Sequence, residues 1–149
     1  MQRRFILLVE DSPDDEELTL LSLRRQNLGH EIVVARDGVE AIDFLFAQGQ
    51  YAGRADGLPT LILLDLKLPK LDGLDVLKRV RADSRTKHLP TVVFTSSSQD
   101  TDILASYDLG ANSYVRKPVE FGAFMDAVSS LGLYWTSLNR EPPLSNTAL

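Results

Sequence analysis

The chain of 149 residues has the length of one domain, and its 44% hydrophobic and 25% charged residues are ordinary for a soluble globular protein. A net charge of −5 without a basic cluster argues against direct binding to nucleic acid. The lack of cysteine excludes a disulfide scaffold, a cysteine-ligated zinc site and thiol chemistry. The apolar run near the N-terminus is too short for a signal peptide or a membrane span, so we expect a cytoplasmic protein without a membrane partner.

Apolar runs alternate with amphipathic segments, which predicts alternating strands and helices. A first strand over residues 5–9 is followed by a helix with Ser12 as N-cap, Pro13 in its first turn and Gly29 as its stop. Residues 48–58 are predicted to form an extended loop. The other predicted strands are residues 31–35, 61–64, 91–94 and 114–116. The other predicted helices are residues 39–46, 75–81, 100–109 and 120–131.

The predicted strands lack polar alternation, which is typical of strands buried on both faces. We therefore expect an α/β fold with a five-stranded parallel sheet, doubly wound, with helices on both sides. The domain is predicted to cover residues 1–139, with an apolar extension from about residue 132. Residues 140–149 are predicted to form a flexible tail.

Reactive side chains stand at the carboxyl ends of four predicted strands. Glu10 and Asp11 follow the first strand and Asp65 follows the third. Thr95 and Lys117 stand at the ends of the fourth and fifth. This edge of an open α/β sheet is where ligands bind. Three acids, a hydroxyl and an amine at one edge predict a site for a phosphoryl group and a metal ion.

In this order, these residues and Lys117-Pro118 resemble the receiver domain of two-component response regulators, over about residues 5–131. The resemblance implies a flavodoxin-like sheet and phosphorylation of Asp65 by a histidine kinase. It also implies Mg²⁺, which prefers oxygen ligands. Asp11, Asp65 and the backbone carbonyl of Lys67 would bind the ion directly. Glu10, where many receivers have Asp, would act through water.

The resemblance gives the remaining edge residues roles in phosphoryl binding and switching. Lys117 would pair with one phosphoryl oxygen, and Thr95 would donate its hydroxyl to another. Thr95 and Tyr114 would form the switch; taken alone, Thr95 could cap the next helix and Tyr114 could be an edge-strand aromatic. The Lys117-Pro118 peptide bond is a candidate for the cis form, which would fix the direction of the amine.

The segment over residues 132–139 is apolar and aromatic. Tyr134 and Trp135 either cap the core or form a patch between subunits, and we favour an interface that Phe121 and Phe124 extend. The long loop over residues 46–59 and this C-terminal extension are similar to those of the small response regulators of cyanobacterial and bacterial phytochromes. That resemblance implies a phytochrome light-sensing histidine kinase as phosphodonor, and a homodimer.

Nothing after residue 131 resembles a DNA-binding domain, so we expect a receiver that signals through a partner, a dimer or a phosphorelay. It would catalyse only its own phosphorylation and dephosphorylation. A binding module that works without phosphorylation is the alternative, although such modules usually lack Asp65 or Lys117. A dehalogenase-like phosphatase needs a second Asp where Lys67 stands. The acids after the first strand also disfavour a flavodoxin-like electron carrier, because they would repel its phosphate.

Overall fold

Five parallel strands form one sheet in the computed structural model, which describes residues 4–143. The strands are β1 (Phe5–Val9), β2 (Glu31–Ala35), β3 (Leu61–Leu64), β4 (Thr91–Thr95) and β5 (Ser113–Arg116). The helices are α1 (Pro13–Arg25), α2 (Gly38–Leu45), α3 (Gly73–Ala82), α4 (Asp100–Asp108) and α5 (Phe121–Leu133). The strand order is β2-β1-β3-β4-β5, which confirms the predicted doubly wound α/β fold. Within the described range, none of these helices combines the length and apolar character needed to cross a membrane.

Two apolar cores lie on opposite faces of the sheet, because side chains along a strand alternate between its faces. Ile6 and Leu8 of β1 pack with helices α1 and α5. Leu7 and Val9 of the same strand pack with α2 and α3. From β1 the chain passes outward to β2 and then returns to β3 on the other side of β1. Such a switch in strand order opens a crevice at the carboxyl ends of β1 and β3.

Helix α1 ends earlier than predicted. It stops at Arg25, so the predicted stop at Gly29 is wrong. The Asn27 N–H donates to the carbonyl of Arg24 at 3.2 Å, and Asn27 has a φ of +51°. Asparagine adopts the left-handed region more readily than most residues, so it ends the helix as a glycine would.

The loop between α2 and β3 contains one short 3₁₀ turn, Gly49–Tyr51. Arg54 fastens the loop to α2: its Nε and Nη2 donate to the Phe44 carbonyl at 2.9 and 2.7 Å. Its Nη1 donates to the Gly57 carbonyl at 2.9 Å, and its guanidinium lies 3.8 Å from the centre of the Phe44 ring. Tyr51 also packs edge to face on Phe44, with 5.1 Å between ring centres, so this long loop is held against α2 by hydrogen bonds and by ring contacts.

Helix α5 continues past its predicted end to Leu133, and a π-helical turn, Tyr134–Leu138, follows. A Cβ at Gly132 would lie 2.7 Å from side-chain atoms of α1, so glycine lets α1 and α5 approach closely. Residues 140–143 have no regular structure, and Glu141 pairs with Arg4. The rest of the predicted tail, residues 144–149, lies outside the described residues.

Candidate functional site

Asp65 directly follows β3 and is buried at the crevice between β1 and β3. Its backbone N–H donates to the carbonyl of Val9 at 3.1 Å, which extends the pairing of the two strands by one residue. The first residue of α3, Gly73, packs against the same backbone. A Cβ there would lie 2.3 Å from the Asp65 carbonyl oxygen. Helix α3 can begin this close to Asp65 only because Gly73 has no side chain.

Both carboxylate oxygens of Asp65 accept hydrogen bonds. Thr95 Oγ1 donates to Oδ1 at 2.7 Å, and the backbone N–H of Lys67 donates to the same oxygen at 3.2 Å. Lys117 Nζ donates to Oδ2 at 2.9 Å. The structure thus brings together the predicted acid, hydroxyl and amine, which come from the ends of three different strands.

Lys117 is buried among three carboxylates. Besides Asp65, its Nζ lies 2.7 Å from Glu10 Oε1 and 2.8 Å from Asp15 Oδ2. Asp15 is a residue of the site that the strand-end pattern of the sequence does not predict. Its position in the first turn of the helix that follows β1 was the available signal, and that position brings it to the same edge of the sheet.

Burial and charge set the ionisation of this cluster. Burial raises the pKa of Glu10 to about 7, although Lys117 opposes the shift. Burial also raises the pKa of Asp65, but the charge and hydrogen bond of Lys117, with the hydrogen bonds of Thr95 and Lys67, bring that pKa below its ordinary value. Burial lowers the pKa of Lys117, and its carboxylate partners outweigh this and raise it. At neutral pH Asp65 is therefore an anion beside a cationic Lys117.

Glu10, Asp11 and Asp65 can offer oxygen ligands to one metal ion. One carboxylate oxygen from each lies within 4.8 Å of the others. A set of carboxylate oxygens suits a hard divalent cation such as Mg²⁺. Both oxygens of Glu10 are already engaged, since Oε1 contacts Lys117 and Oε2 accepts the N–H of Ser12 at 3.1 Å.

The remaining predicted switch residue, Tyr114, lies on β5 next to the loop that follows β4. The Tyr114 hydroxyl donates to the carbonyl of Ser97 at 2.9 Å, which ties β5 to the loop after β4. No peptide bond among residues 4–143 is cis, so the prediction of a cis bond before Pro118 is wrong. The trans form of a bond to proline is favoured by about 0.5–1 kcal/mol. The direction of the Lys117 amine is fixed by its carboxylate partners instead.

The four predicted interface residues have different surroundings. Phe124 is 3% exposed and packs against Phe94 with 5.3 Å between ring centres, so its interface prediction is corrected: it is a core residue. Trp135 is partly buried against the core cluster that includes residues of α1 and α5, as the capping alternative expects. Phe121 and Tyr134 are 57% and 48% exposed. They stand at opposite ends of α5, about 20 Å apart along the helix axis at 1.5 Å per residue.

At the carboxyl edge of this flavodoxin-like fold, a buried strand-end carboxylate accepts hydrogen bonds from an ammonium and a hydroxyl, and two further acids lie beside it. The chain belongs to the response regulator receiver family, because the model of the response regulator receiver domain matches residues 6–129.

Known proteins similar to this chain include regulators associated with phytochromes. The response regulator Rcp1 of Synechocystis sp. (strain PCC 6803) is 39% identical over 132 residues, which cover 89% of this chain and 88% of Rcp1. Its Mn²⁺-bound structure has a TM-score of 0.88 at 37% identity and covers 95% of this chain and 99% of Rcp1. The phosphorylated cyanobacterial phytochrome response regulator RcpA has a TM-score of 0.88 at 37% identity, covering 96% of this chain and 100% of RcpA. The bacteriophytochrome response regulator AtBRR is 50% identical, with a TM-score of 0.73, and covers 94% of this chain and 99% of AtBRR.

Proposed function

We propose that this receiver is a phosphorylation switch in which Asp65 accepts a phosphoryl group from a histidine kinase. The observation that carries the proposal is the convergence of two donors on one buried carboxylate. Lys117 Nζ donates to Oδ2 and Thr95 Oγ1 donates to Oδ1. Donors that already meet at this carboxylate are placed to reach the oxygens of a phosphoryl group bonded to it, where negative charge lies during and after the transfer.

The transfer is a nucleophilic displacement at phosphorus. A carboxylate oxygen of Asp65 attacks the phosphorus of a phosphohistidine, the new O–P bond forms, and the P–N bond breaks as the imidazole leaves. Lys117 then pairs with a phosphoryl oxygen and Thr95 donates to another. Movement of Thr95 toward the phosphoryl group, followed by Tyr114, would carry the signal to the surface of the domain. The chain acts only on its own phosphorylation and dephosphorylation in this scheme.

The proposed cofactor is Mg²⁺. Asp11, Asp65 and the backbone carbonyl of Lys67 would hold the ion, with Glu10 acting through water. When bound, the ion would offset the negative charge that Asp65 and an incoming phosphoryl group bring together. The carboxylate cluster supports this assignment, as does the existence of an Mn²⁺-bound structure of the similar protein Rcp1.

The proposed phosphodonor is a phytochrome histidine kinase in the cytoplasm, which the similarity to RcpA and AtBRR supports. We also propose a homodimer formed through the C-terminal patch, defined as the exposed side chains of Leu133, Tyr134 and Leu138. Apolar side chains grouped at the surface of a small domain are typical of an interaction site.

Intact mass after incubation with acetyl phosphate tests the phosphoacceptor. We expect the wild type to gain one phosphoryl group only when Mg²⁺ is present, and Asp65→Asn to gain none. Asp75→Asn, which removes an acid from the first turn of α3, is the matched control and should be phosphorylated normally. A wild type that gains no mass would contradict the switch and leave a binding module.

A second experiment tests the donor. Purified phytochrome histidine kinase, phosphorylated with ATP, is mixed with the chain, and an unrelated histidine kinase serves as control. Faster phosphorylation by the phytochrome kinase is expected, because kinase and regulator recognise each other through a specific surface. Equal rates with the two kinases would contradict the phytochrome pairing without affecting the assignment of Asp65.

A further inference from the structure

Three carboxylate oxygens surround the ammonium group of Lys117 within 2.9 Å of Nζ. A lysine ammonium has three N–H donors and no acceptor. Here its Nζ lies 2.7 Å from Glu10, 2.8 Å from Asp15 and 2.9 Å from Asp65, and each contact is to a carboxylate oxygen. Lys117 must therefore release one of these three acceptors before it can bind a phosphoryl group on Asp65.

We propose that Asp15 is the acceptor that Lys117 releases, so that Asp15 is a positioning residue that competes with the phosphoryl group for the amine. The inference rests on the function proposed above. The Asp15 side chain is 28% exposed, against 3% for Glu10 and 7% for Asp65. The Asp65 side chain stays beside the amine because it carries the phosphoryl group, so the choice lies between Glu10 and Asp15. A buried carboxylate loses more than an exposed one when its counter-charge leaves, so the release of Asp15 costs least.

The surroundings of Asp15 allow its side chain to withdraw. Its backbone N–H donates to Ser12 Oγ at 3.3 Å, so the first turn of α1 is held by its N-cap independently of Lys117. Asp15 and Lys117 both line a cavity of about 300 Å³, whose wall also includes Leu18 and Phe121. A released carboxylate can turn into this space and stay at the N-terminus of the helix, where negative charge is favourable.

The charges determine the direction of the exchange. A phosphoryl group carries a charge of about −1.5 to −2 near neutral pH, whereas Asp15 carries one negative charge. Lys117 therefore turns to the phosphoryl group, and Asp15 is repelled from it. The ion pair between Lys117 and Asp15 is lost in the exchange. The free energy of that ion pair therefore lowers the affinity of the site for a phosphoryl group. Removal of Asp15 should raise that affinity and leave the phosphoacceptor unchanged.

Beryllofluoride, which mimics a phosphoryl group on a carboxylate, is the probe for the test. We expect Asp15→Asn to bind it about fivefold more tightly than the wild type in the presence of Mg²⁺, the effect of one partly exposed ion pair. Asp14→Asn is the matched control, since it removes the same charge from an exposed neighbour in the same turn. The control should change the affinity by less than about twofold.

Titration with Mg²⁺ alone separates competition for Lys117 from a role in the metal site. We expect Asp15→Asn to bind Mg²⁺ no more tightly than the wild type, because the variant gains no ligand. Equal tightening of Mg²⁺ and beryllofluoride binding would overturn the inference, as would an unchanged affinity for beryllofluoride. A wild type that does not bind beryllofluoride would contradict both the proposed function and this inference. If the wild type binds beryllofluoride and Asp15→Asn binds it no more tightly, only the inference is contradicted.

Discussion

The carboxyl edge of the sheet and the C-terminal patch differ in what holds their side chains. At the edge, Asp65 and Lys117 are buried, and each has several charged or hydrogen-bonded partners that come from different strands. In the C-terminal patch, Tyr134 and Leu138 are about half exposed or more, and Tyr134 contacts the ring of Trp135 edge to face. A substitution at the edge leaves a charge or a polar atom without its partner, whereas a substitution in the patch removes exposed apolar surface area. The two regions should therefore respond very differently to substitution.

Lys117→Ala is expected to have the largest effect on stability. It leaves the buried carboxylates of Glu10 and Asp65 without their cation, a change that costs about 3–5 kcal/mol. The loss is measured by urea unfolding at pH 8 in the presence of EDTA, where no metal replaces the missing charge. Addition of Mg²⁺ should restore part of the stability, because the same carboxylates would bind it.

Lys67→Ala is the control for the loss of a lysine near the same site. The Lys67 side chain is exposed and its amine lies 3.6 Å from Asp102, so its removal should cost less than about 0.5 kcal/mol. Similar losses in the two variants would show that burial does not distinguish the two lysines. That result would contradict the contrast drawn between the two regions.

Gly73→Ala is expected to have the second largest effect. Its Cβ would lie 2.3 Å from the Asp65 carbonyl oxygen, and backbone cannot move aside as a side chain can. A cost of about 3 kcal/mol is expected, with slower phosphorylation because the nucleophile is displaced. At Gly132 the new Cβ would meet the ends of the Gln26 and Leu23 side chains, so Gly132→Ala should cost less. Thermal unfolding of both variants measures the two losses of stability. Equal losses, or a larger loss for Gly132→Ala, would contradict this ranking.

The carboxyl edge could be predicted from the sequence because its residues stand at strand ends. Glu10 and Asp65 directly follow buried apolar strands, and Lys117 follows the short strand β5, which is only partly buried. Parallel strands place such residues at one edge whatever the details of packing. The contact of Asp15 with Lys117 could not be predicted in this way. It joins residues 102 positions apart and depends on how α1 is placed relative to β5.

The errors at the C-terminal end have a related cause. Helix α5 carries apolar residues on more than one face, so the sequence does not distinguish the buried Phe124 from the exposed Phe121. The end of α1 was missed because Asn27, rather than Gly29, takes the first left-handed conformation after the helix. Tertiary packing decides which phenylalanine of α5 is buried. The end of α1 depends on which of two residues, Asn27 or Gly29, first adopts the left-handed conformation.

Thr95→Val tests the hydrogen bond that the uncharged hydroxyl of Thr95 donates to Asp65 at the carboxyl edge. It keeps the shape of the side chain and removes the hydrogen bond to Asp65 Oδ1, so we expect a loss of about 1.5 kcal/mol in urea unfolding. Thr91→Val is the matched control on the same strand, since the Thr91 hydroxyl donates to a neutral carbonyl at 3.0 Å. Its loss should be smaller, because a hydrogen bond to a neutral acceptor is weaker than one to a carboxylate. A larger loss for Thr91→Val would contradict the charged character assigned to Asp65.

The smallest effect on stability is expected from the double substitution of Tyr134 and Leu138 by Ala. Both side chains are largely outside the core, so the monomer should lose no more than about 0.5 kcal/mol per site. If two copies meet at this patch, the same change should convert a dimer into a monomer in light scattering after gel filtration, with Asp65 still phosphorylated. The matched control replaces Leu104 and Tyr107, an exposed apolar pair on α4, and should leave the dimer intact. Two results would contradict an interface at the C-terminal patch. One is a wild type that is monomeric at high concentration, and the other is a dimer that only the α4 substitutions disrupt. The double substitution should therefore weaken association and leave stability nearly unchanged, because exposed apolar area contributes to association without being needed for the fold.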